Sequence, residues 1–436
     1  MSSSDSVANA PSCLRLALLV GKKAAGEGSN FVFSPLSIQA ALALVAEGAR
    51  GETLQQLLSF LGSPDVSHLR AATHRLLHSI STDEAAPEPS DPFNLSKWLG
   101  TPLVVGAEDA TDLPGTPPCV SFANAVWFCE RRIVLHPAYA HAVSSCYDAS
   151  VKTVDILNNA DQVVRGINSW AKEKTHGLIN SIIPNGSLDP KTTILLANAL
   201  YFKALWDEPF QKRQTNNGKF YLLDGSTITV PFMSSYQIKK ECYISFSHRF
   251  KILKLPYRQH PDAKTFFSML IFLPNDSNLL YEIMDEILST PDFLKQYTPT
   301  KASELHRLLL PKFKFSFDCE PSEALKKLEL ILPFSESDAD LWGMLKYLPR
   351  PDLKLVDNLY VKAMFHKSTI GINETGTVAS SVSRLLQYGG AVSIPYTVPV
   401  LPEFVADHPF IFAIVDEKSG TLLFLGHVVN PLQGAC

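Results

Sequence analysis

The chain has 436 residues, with 39 Lys and Arg against 43 Asp and Glu, and a formal net charge of −4. This balance creates no overall positive field, so we expect neither nucleic acid nor a membrane as partner. Hydrophobic residues make up 46% of the chain and charged residues 19%, which is typical of a globular protein with a large core rather than of a disordered one.

The cysteines and the N-terminal segment indicate an intracellular protein. The seven cysteines are odd in number and form no CxxC pair, so we expect free thiols and no metal site. The apolar stretch Leu14–Val20 is interrupted by Arg15 and followed by Lys22 and Lys23, which is the wrong order for a secretory signal. We expect an amphipathic first helix, no signal peptide and a cytoplasmic or nucleocytoplasmic location.

The first part of the chain is predicted to be helical. Ser34 and Pro35 begin a helix whose apolar residues recur at three- and four-residue spacing up to Gly48. The same pattern continues over His68–Ile80. Residues 82–118 are rich in Pro, Asp, Glu and Gly, and we interpret them as a surface insert.

Strands dominate the rest of the chain. Val120–Phe128 and Thr192–Phe202 are mainly apolar, which predicts strands buried on both faces, and a helix over Ala160–Lys174 lies between them. Shorter strand-like runs follow at Thr227–Phe232, Phe250–Leu255, Phe266–Leu273, Leu308–Phe317, Ser368–Ile372, Phe410–Val415 and Thr421–Val429. The order predicts one α+β domain over residues 1–436, with helices packed on large mixed and antiparallel sheets.

The motifs of several enzyme classes are absent from the sequence. It contains no GxSxG, HExxH, GxxxxGK[ST] or GxGxxG. We therefore expect a protein that is not an enzyme, with no catalytic residues and no cofactor.

One segment near the C-terminus has an unusual composition. Residues 378–394 carry a single charge, Arg384, among small and apolar side chains. Every second residue from Thr377 is small at first and never charged, whereas Arg384 falls on the opposite face. Such a segment can enter a sheet, although a flexible surface loop with accidental alternation explains it equally well when it is taken alone.

The sequence also resembles the serpin family from about Leu14 to Pro431, apart from the insert. The segments that carry the resemblance are Asn30–Ile38, Ile167–Trp170, Ala197–Trp206, Leu255–Tyr257, Pro311–Phe313, His366–Lys367, Asp407–Phe410 and Phe424–Val428. The form FVADHPF at Phe404–Phe410 is most similar to the plant intracellular branch, which is the serpin-Z-like one.

The resemblance implies a protease inhibitor that acts as a suicide substrate. An exposed reactive-centre loop, here residues 374–402, is cleaved by a serine or cysteine endopeptidase and inserts into the main sheet while the acyl-enzyme is still attached. The displaced protease is distorted, so the ester is not hydrolysed. We expect the inhibitor to be a monomer.

By the same resemblance, Glu374, Gly376, Thr377, Val378 and Ala379 form the hinge of this loop. Gly376 is expected to let the backbone bend and Thr377 to lead the insertion. The family has an acidic residue where this chain has Val378, which predicts slower insertion. The alternative is therefore a non-inhibitory serpin, cleaved as a substrate or serving as a binding protein.

The resemblance leaves two positions for the reactive bond. Counting the family's interval from Glu374 gives Gly390 and Ala391, whereas the segment Ser393–Pro395 gives Val392 and Ser393. Neither bond follows Arg or Lys, so an elastase-like protease is favoured over a trypsin-like one. Cleavage after Tyr388 by a chymotrypsin-like protease is a further alternative.

Overall fold

The computed structural model describes residues 11–80, 118–129, 134–188, 192–235, 240–259, 265–290, 293–346, 359–377 and 401–434. Apart from Pro118, the expected insert 82–118 lies outside these ranges, as do residues 378–400. The helices in the described residues are α1 Pro11–Gly26, α2 Pro35–Ala46, α3 Gly51–Leu61, α4 Val66–Ile80, α5 Pro137–Tyr147, α6 Ile156–Lys174, α7 Leu280–Ser289, α8 Phe293–Tyr297 and α9 Ser322–Lys327.

The helix starts follow from capping side chains. Ser34 accepts a hydrogen bond from the Ser37 backbone N–H and Pro35 occupies the first helical turn, so α2 begins where the sequence predicts. Asp155 caps α6 in the same way, which starts that helix four residues before the predicted Ala160. The backbone of Asn159 is non-helical, so the predicted start coincides with a kink.

Six strands form the sheet that carries the site, which we call the main sheet. In spatial order they are β12 Phe313–Cys319, β13 Val361–Ile372, β14 Gly376–Thr377, β4 Ile194–Leu205, β2 Cys119–Cys129 and β3 Ala149–Val154. β13 runs parallel to β4, β2 runs parallel to β3, and the other pairs are antiparallel. The mixed sheet predicted from the sequence is confirmed.

Two further sheets complete the strand layers. The seven-stranded sheet has the order β1 Phe31–Phe33, β17 Leu422–Val428, β16 Phe410–Asp416, β9 Phe267–Pro274, β8 Phe250–Pro256, β7 Lys240–Phe246 and β10 Ala302–Leu305. The four-stranded sheet has the order β15 Glu403–Val405, β11 Arg307–Pro311, β6 Thr227–Ser235 and β5 Asn216–Tyr221.

The predicted single strand Leu308–Phe317 is wrong, because the chain changes sheets inside it. β11 pairs with β6 of the four-stranded sheet, whereas β12 pairs with β13 of the main sheet. Pro311 has no N–H to continue a ladder, and the N–H of Lys312 donates to the carbonyl of Pro231 at 2.9 Å. The apolar periodicity continues through this corner, so it did not reveal the break.

The main sheet is covered on both faces, as predicted for its two long apolar strands. Trp127 of β2 packs edge-on against Trp170 of α6, with ring centroids 4.8 Å apart. The alternate residues Val126 and Phe128 belong to the core that also contains Leu42 of α2. Helices on both sides therefore constrain the sheet, and a change inside it must occur within its plane.

The state of the cysteines and the character of the helices can also be described. Cys13, Cys119, Cys129, Cys146, Cys242 and Cys319 are all free thiols, as expected. Within the ranges given above, every helix is too short or too polar to cross a membrane.

Candidate functional site

The centre of the main sheet is a parallel pair of strands, which we call the central seam. β13 and β4 pair directly from Val361 opposite Ile194 to Ser368 opposite Leu200, with a register shift between Val361 and Ala363. At the end of the seam β14 lies between the two strands, with Thr377 opposite both Ile372 and Ala204. β14 is antiparallel to both neighbours, so it occupies the position of one additional strand whose continuation would run along the seam.

A tight turn, residues 373–377, leads from β13 into β14, and we call it the hinge turn. The side-chain oxygen of Asn373 accepts hydrogen bonds from the backbone N–H groups of Thr375 at 2.9 Å and Gly376 at 3.2 Å. Trp206 holds the turn from outside, because its indole N–H donates to the Asn373 carbonyl and its backbone N–H to the Thr375 carbonyl, both at 2.9 Å. The chain leaves β13 after Ile372 and enters β14 at Gly376, so this turn reverses the chain direction within three residues.

Gly376 is required here by close approach to the neighbouring strand. A Cβ atom at this position would lie 2.0 Å from the carbonyl oxygen of Ala204 and 2.8 Å from Cα of Leu205. Gly376 is not among the glycines of positive φ. Glycine is therefore required at this position by the close approach of β4, and not by the backbone bending expected from the sequence.

Thr377 ends the described part of the hinge in a buried environment. Its side chain has no exposed surface, and its hydroxyl lies 2.6 Å from the hydroxyl of Tyr257. The Tyr257 ring stacks on Trp206 with centroids 4.7 Å apart. Burial raises the pKa of Tyr257, which keeps this phenol neutral and able to hydrogen-bond Thr377.

Glu374 connects the hinge turn to the four-stranded sheet. One carboxylate oxygen accepts from the Thr215 hydroxyl at 2.8 Å, and the other lies 3.0 Å from Nζ of Lys312. Burial alone would raise the pKa of Glu374. Hydrogen bonds from its own backbone, from Thr215 and from Lys312 outweigh that effect and lower the pKa. Glu374 therefore stays ionised and holds the turn against Lys312.

The position of the hinge differs in one respect from the expected exposed loop. Glu374, Gly376 and Thr377 are buried in and beside the main sheet, because the β13, β4 and Lys312 contacts enclose them. An exposed loop therefore cannot begin at Glu374. The other residues assigned from the sequence, Val378, Ala379, Gly390, Ala391, Val392 and Ser393, lie outside the described residues.

A buried hydrogen-bond network crosses the seam below the hinge, and we call it the seam cluster: Ser37, Asn124, Asn198, His366 and Ser368. His366 and Asn198 are register partners, and Nδ1 of His366 lies 2.8 Å from Oδ1 of Asn198. Asn198 donates to the Ser37 carbonyl at 2.9 Å and also to Asn124. Separating β13 from β4 must break the His366–Asn198 bond.

His366 is held as a neutral ring. The backbone N–H of Ser34 points at its Nε2 at 3.4 Å, so Nε2 accepts and Nδ1 carries the proton donated to Asn198. Burial lowers the pKa of His366 to about 3. The Ser368 hydroxyl lies 3.0 Å from Nε2 and could accept a hydrogen bond from it, so burial is the main reason why the ring stays neutral.

Several residues that build this site have contacts that the sequence does not reveal. Trp206, Tyr257 and Lys312 stood in the quoted motifs, but their contacts with the hinge turn were not predicted. Thr215 and Asn124 carried no signal in the sequence. Their roles depend on contacts between positions more than 70 residues apart, such as Asn198 with Asn124 and Thr215 with Glu374.

The main sheet already contains Gly376 and Thr377 as the first two residues of an additional strand. This arrangement is typical of a class of protein that can insert more of its own chain between two strands of the sheet. The family model described as "Serpin (serine protease inhibitor)" matches residues 9–431. The chain therefore belongs to the serpin family, which is a family of protease inhibitors.

The relatives confirm the plant branch expected from the sequence. Serpin-ZXA of Oryza sativa subsp. japonica is 39% identical over 426 residues, covering 97% of this chain and 96% of the relative. Serpin-Z2B of Triticum aestivum is 37% identical, covering 96% and 94%. The solved structure of Arabidopsis AtSerpin1 in its native stressed conformation has a TM-score of 0.79 and 33% identity, covering 99% of this chain and all of that one.

The close approach at Gly376 predicts a large effect of a single methyl group. Gly376→Ala should lower the free energy of unfolding by about 1–3 kcal/mol, the usual cost of overpacking, because the Ala204 carbonyl belongs to a strand that cannot move aside. Gly166→Ala is the matched control, since no atom lies within 4 Å of a Cβ there and alanine favours its helix. Denaturant unfolding of both variants measures the difference, and equal effects would contradict the packing argument.

The neutral His366 predicts a loss of stability on acidification. The unfolded chain binds a proton at this position below pH 6.5, whereas the native state resists protonation until a pKa of about 3. The free energy of unfolding should therefore fall as pH drops through this range, by up to about 1.4 kcal/mol per pH unit for this residue. In denaturant unfolding between pH 7.5 and 4.5, His366→Gln should reduce the slope. An unchanged slope would show that His366 is not responsible.

Proposed function

We propose that this serpin inhibits a serine protease as a suicide substrate, by inserting its cleaved reactive-centre loop along the central seam. The observation that supports this most is β14, which lies antiparallel between β13 and β4 at the point where their direct parallel pairing begins. This supports the proposal, because a strand that continued from Thr377 in the register of β14 would lie between β13 and β4.

Insertion would add hydrogen bonds to the sheet. In the register of Ile372 with Thr377, an inserted strand that reaches Val361 extends to residue 388. It replaces one parallel ladder with two antiparallel ladders, and antiparallel pairs are slightly more stable per residue. The opposing cost is the opening of the seam and of the seam cluster. A protein with such a sheet is metastable and persists through a kinetic barrier.

Cleavage supplies the freedom that insertion needs. The protease serine attacks the carbonyl of the reactive bond, the peptide C–N bond breaks, and the new amine leaves with the C-terminal fragment. The remaining ester links the protease to the loop. If insertion carries this ester along the seam before water attacks it, the catalytic geometry of the protease is lost and the complex persists.

Several details of this proposal come from the family resemblance and from the composition of the sequence. The hinge comprises Glu374, Gly376, Thr377, Val378 and Ala379. The reactive bond joins Gly390 and Ala391, with Val392–Ser393 as the alternative. The target is an elastase- or chymotrypsin-like endopeptidase. The chain acts as a monomeric single domain in a cytoplasmic or nucleocytoplasmic compartment, without nucleic acid, membrane or cofactor.

A second function is favoured by one departure from the family pattern. Val378 stands where the family has an acidic residue, and Val382 adds β-branched bulk in the segment that would insert. Slow insertion would let hydrolysis of the ester occur first. The chain would then be a non-inhibitory serpin, cleaved as a substrate or acting as a binding protein.

Incubation with elastase, chymotrypsin and trypsin separates the two functions. On a denaturing gel we expect a band at the summed mass of inhibitor and protease with elastase or chymotrypsin, because an ester survives detergent. Sequencing of the released C-terminal fragment identifies the reactive bond. Cleavage near residues 388–393 without that band would support the non-inhibitory alternative.

Thr377 offers a matched pair of variants for the same assay. Thr377→Arg should be cleaved normally but form no stable complex, because a guanidinium cannot take the fully buried place beside Tyr257. Thr377→Ser keeps the hydroxyl and should behave as the parent chain. A stable complex formed by Thr377→Arg would contradict insertion through the hinge turn.

A further inference from the structure

The strand that follows residue 402 is short and forms a brief ladder with its neighbour. β15 pairs with β11 only from Glu403 opposite Arg307 to Val405 opposite Leu309. The backbone N–H of Ala406 donates to the Leu309 carbonyl at 3.0 Å. A ladder of three residues is weak by itself, so the buried Phe404, the Glu403–Arg307 ion pair and the residues that follow β15 together hold this strand in place.

His408 provides such an attachment. Its Nδ1 lies 2.8 Å from a carboxylate oxygen of Asp407, and its Nε2 lies 2.7 Å from the backbone carbonyl of Pro274, at the end of β9. A carboxylate and a carbonyl can only accept hydrogen bonds, so both ring nitrogens must donate. Only the imidazolium form satisfies both partners. In the neutral form, one ring nitrogen would present a lone pair to an acceptor oxygen, and that hydrogen bond would be lost.

The charged groups around His408 favour this form. Burial alone lowers the pKa of His408, but its hydrogen bonds to Asp407 and to the Pro274 carbonyl, with the charge of Asp407, raise the pKa above the usual 6.5. Lys251 of β8 opposes the charge. Arg307 of β11 and Glu403 of β15 line the same cleft and pair with each other at 2.7 Å, which limits their effect on the ring.

The length of the intervening chain makes the attachment of β15 important. An uncleaved loop inserted to Val361 would use residues up to 388 and leave residues 389–402 to return to Glu403. Those residues span at most about 50 Å when fully extended. The inserted strand alone is about 40 Å long. Insertion before cleavage would therefore draw the returning chain almost straight and pull on β15.

We propose that His408 is a positioning residue: as an imidazolium between Asp407 and Pro274 it ties the end of β15 to β9, and its deprotonation loosens β15. The inference rests on the proposed function only for the identity of the loop that β15 anchors. Because the native state favours the charged ring, the attachment is complete below pH 6.5 and weakens as pH rises through the raised pKa.

Hydrogen exchange measured by mass spectrometry on the full chain tests this directly. The protection factor of the peptide covering residues 402–408 is compared at pH 6.0 and 8.5, after correction for intrinsic exchange, with a peptide from β16 as internal reference. We expect it to fall about tenfold at pH 8.5, the equilibrium effect of one charge-assisted hydrogen bond, while the reference stays unchanged. Equal protection at the two pH values overturns the proposal.

Two variants distinguish a charge from a packing role. His408→Gln should show low protection of β15 at both pH values, whereas His408→Lys, a permanent cation that can donate to both acceptors, should retain protection at pH 8.5. If His408→Gln matches the parent chain, or if His408→Lys is as unprotected as His408→Gln, the inference is wrong. None of these readouts involves a protease, so a failure to inhibit would overturn the proposed function and leave this result standing.

Discussion

The parallel pairing of β13 with β4 is the constraint on which the rest of this structure depends. Two neighbouring parallel strands could accept a third, antiparallel strand if they separated, and β14 already lies between them at one end. The hinge turn fixes the register of that strand, and the seam cluster resists opening of the seam. With α6 and α2 on opposite faces of the sheet, the direction left for rearrangement is along the seam.

The buried His366 and the partly buried His408 illustrate how local partners set a protonation state. His366 faces a backbone N–H from Ser34 and is held neutral, whereas His408 faces two acceptors and is held charged. A fall in pH is therefore expected to destabilise the seam, and a rise in pH to weaken the attachment of β15. We expect the native state to be most stable at intermediate pH, where the seam and the attachment of β15 are both intact.

The sequence predicts local features well and long-range register poorly. Ser34 and Pro35 predict the start of α2, and mainly apolar runs predict β2 and β4, because capping and burial act over a few residues. The burial of Glu374 could not be predicted, since its partners Lys312 and Thr215 lie 62 and 159 residues away in the sequence. The role of Gly376 likewise depends on the Ala204 carbonyl, which no local pattern reveals.

The most direct test of the central claim is the thermal unfolding of the protein before and after a single cleavage within residues 378–400. If the seam accepts the freed segment as an additional strand, the cleaved protein must unfold at a distinctly higher temperature than the intact one, although a peptide bond has been lost. Unfolding of the cleaved protein at the same or a lower temperature would contradict the account, because the seam would then not be a site for insertion.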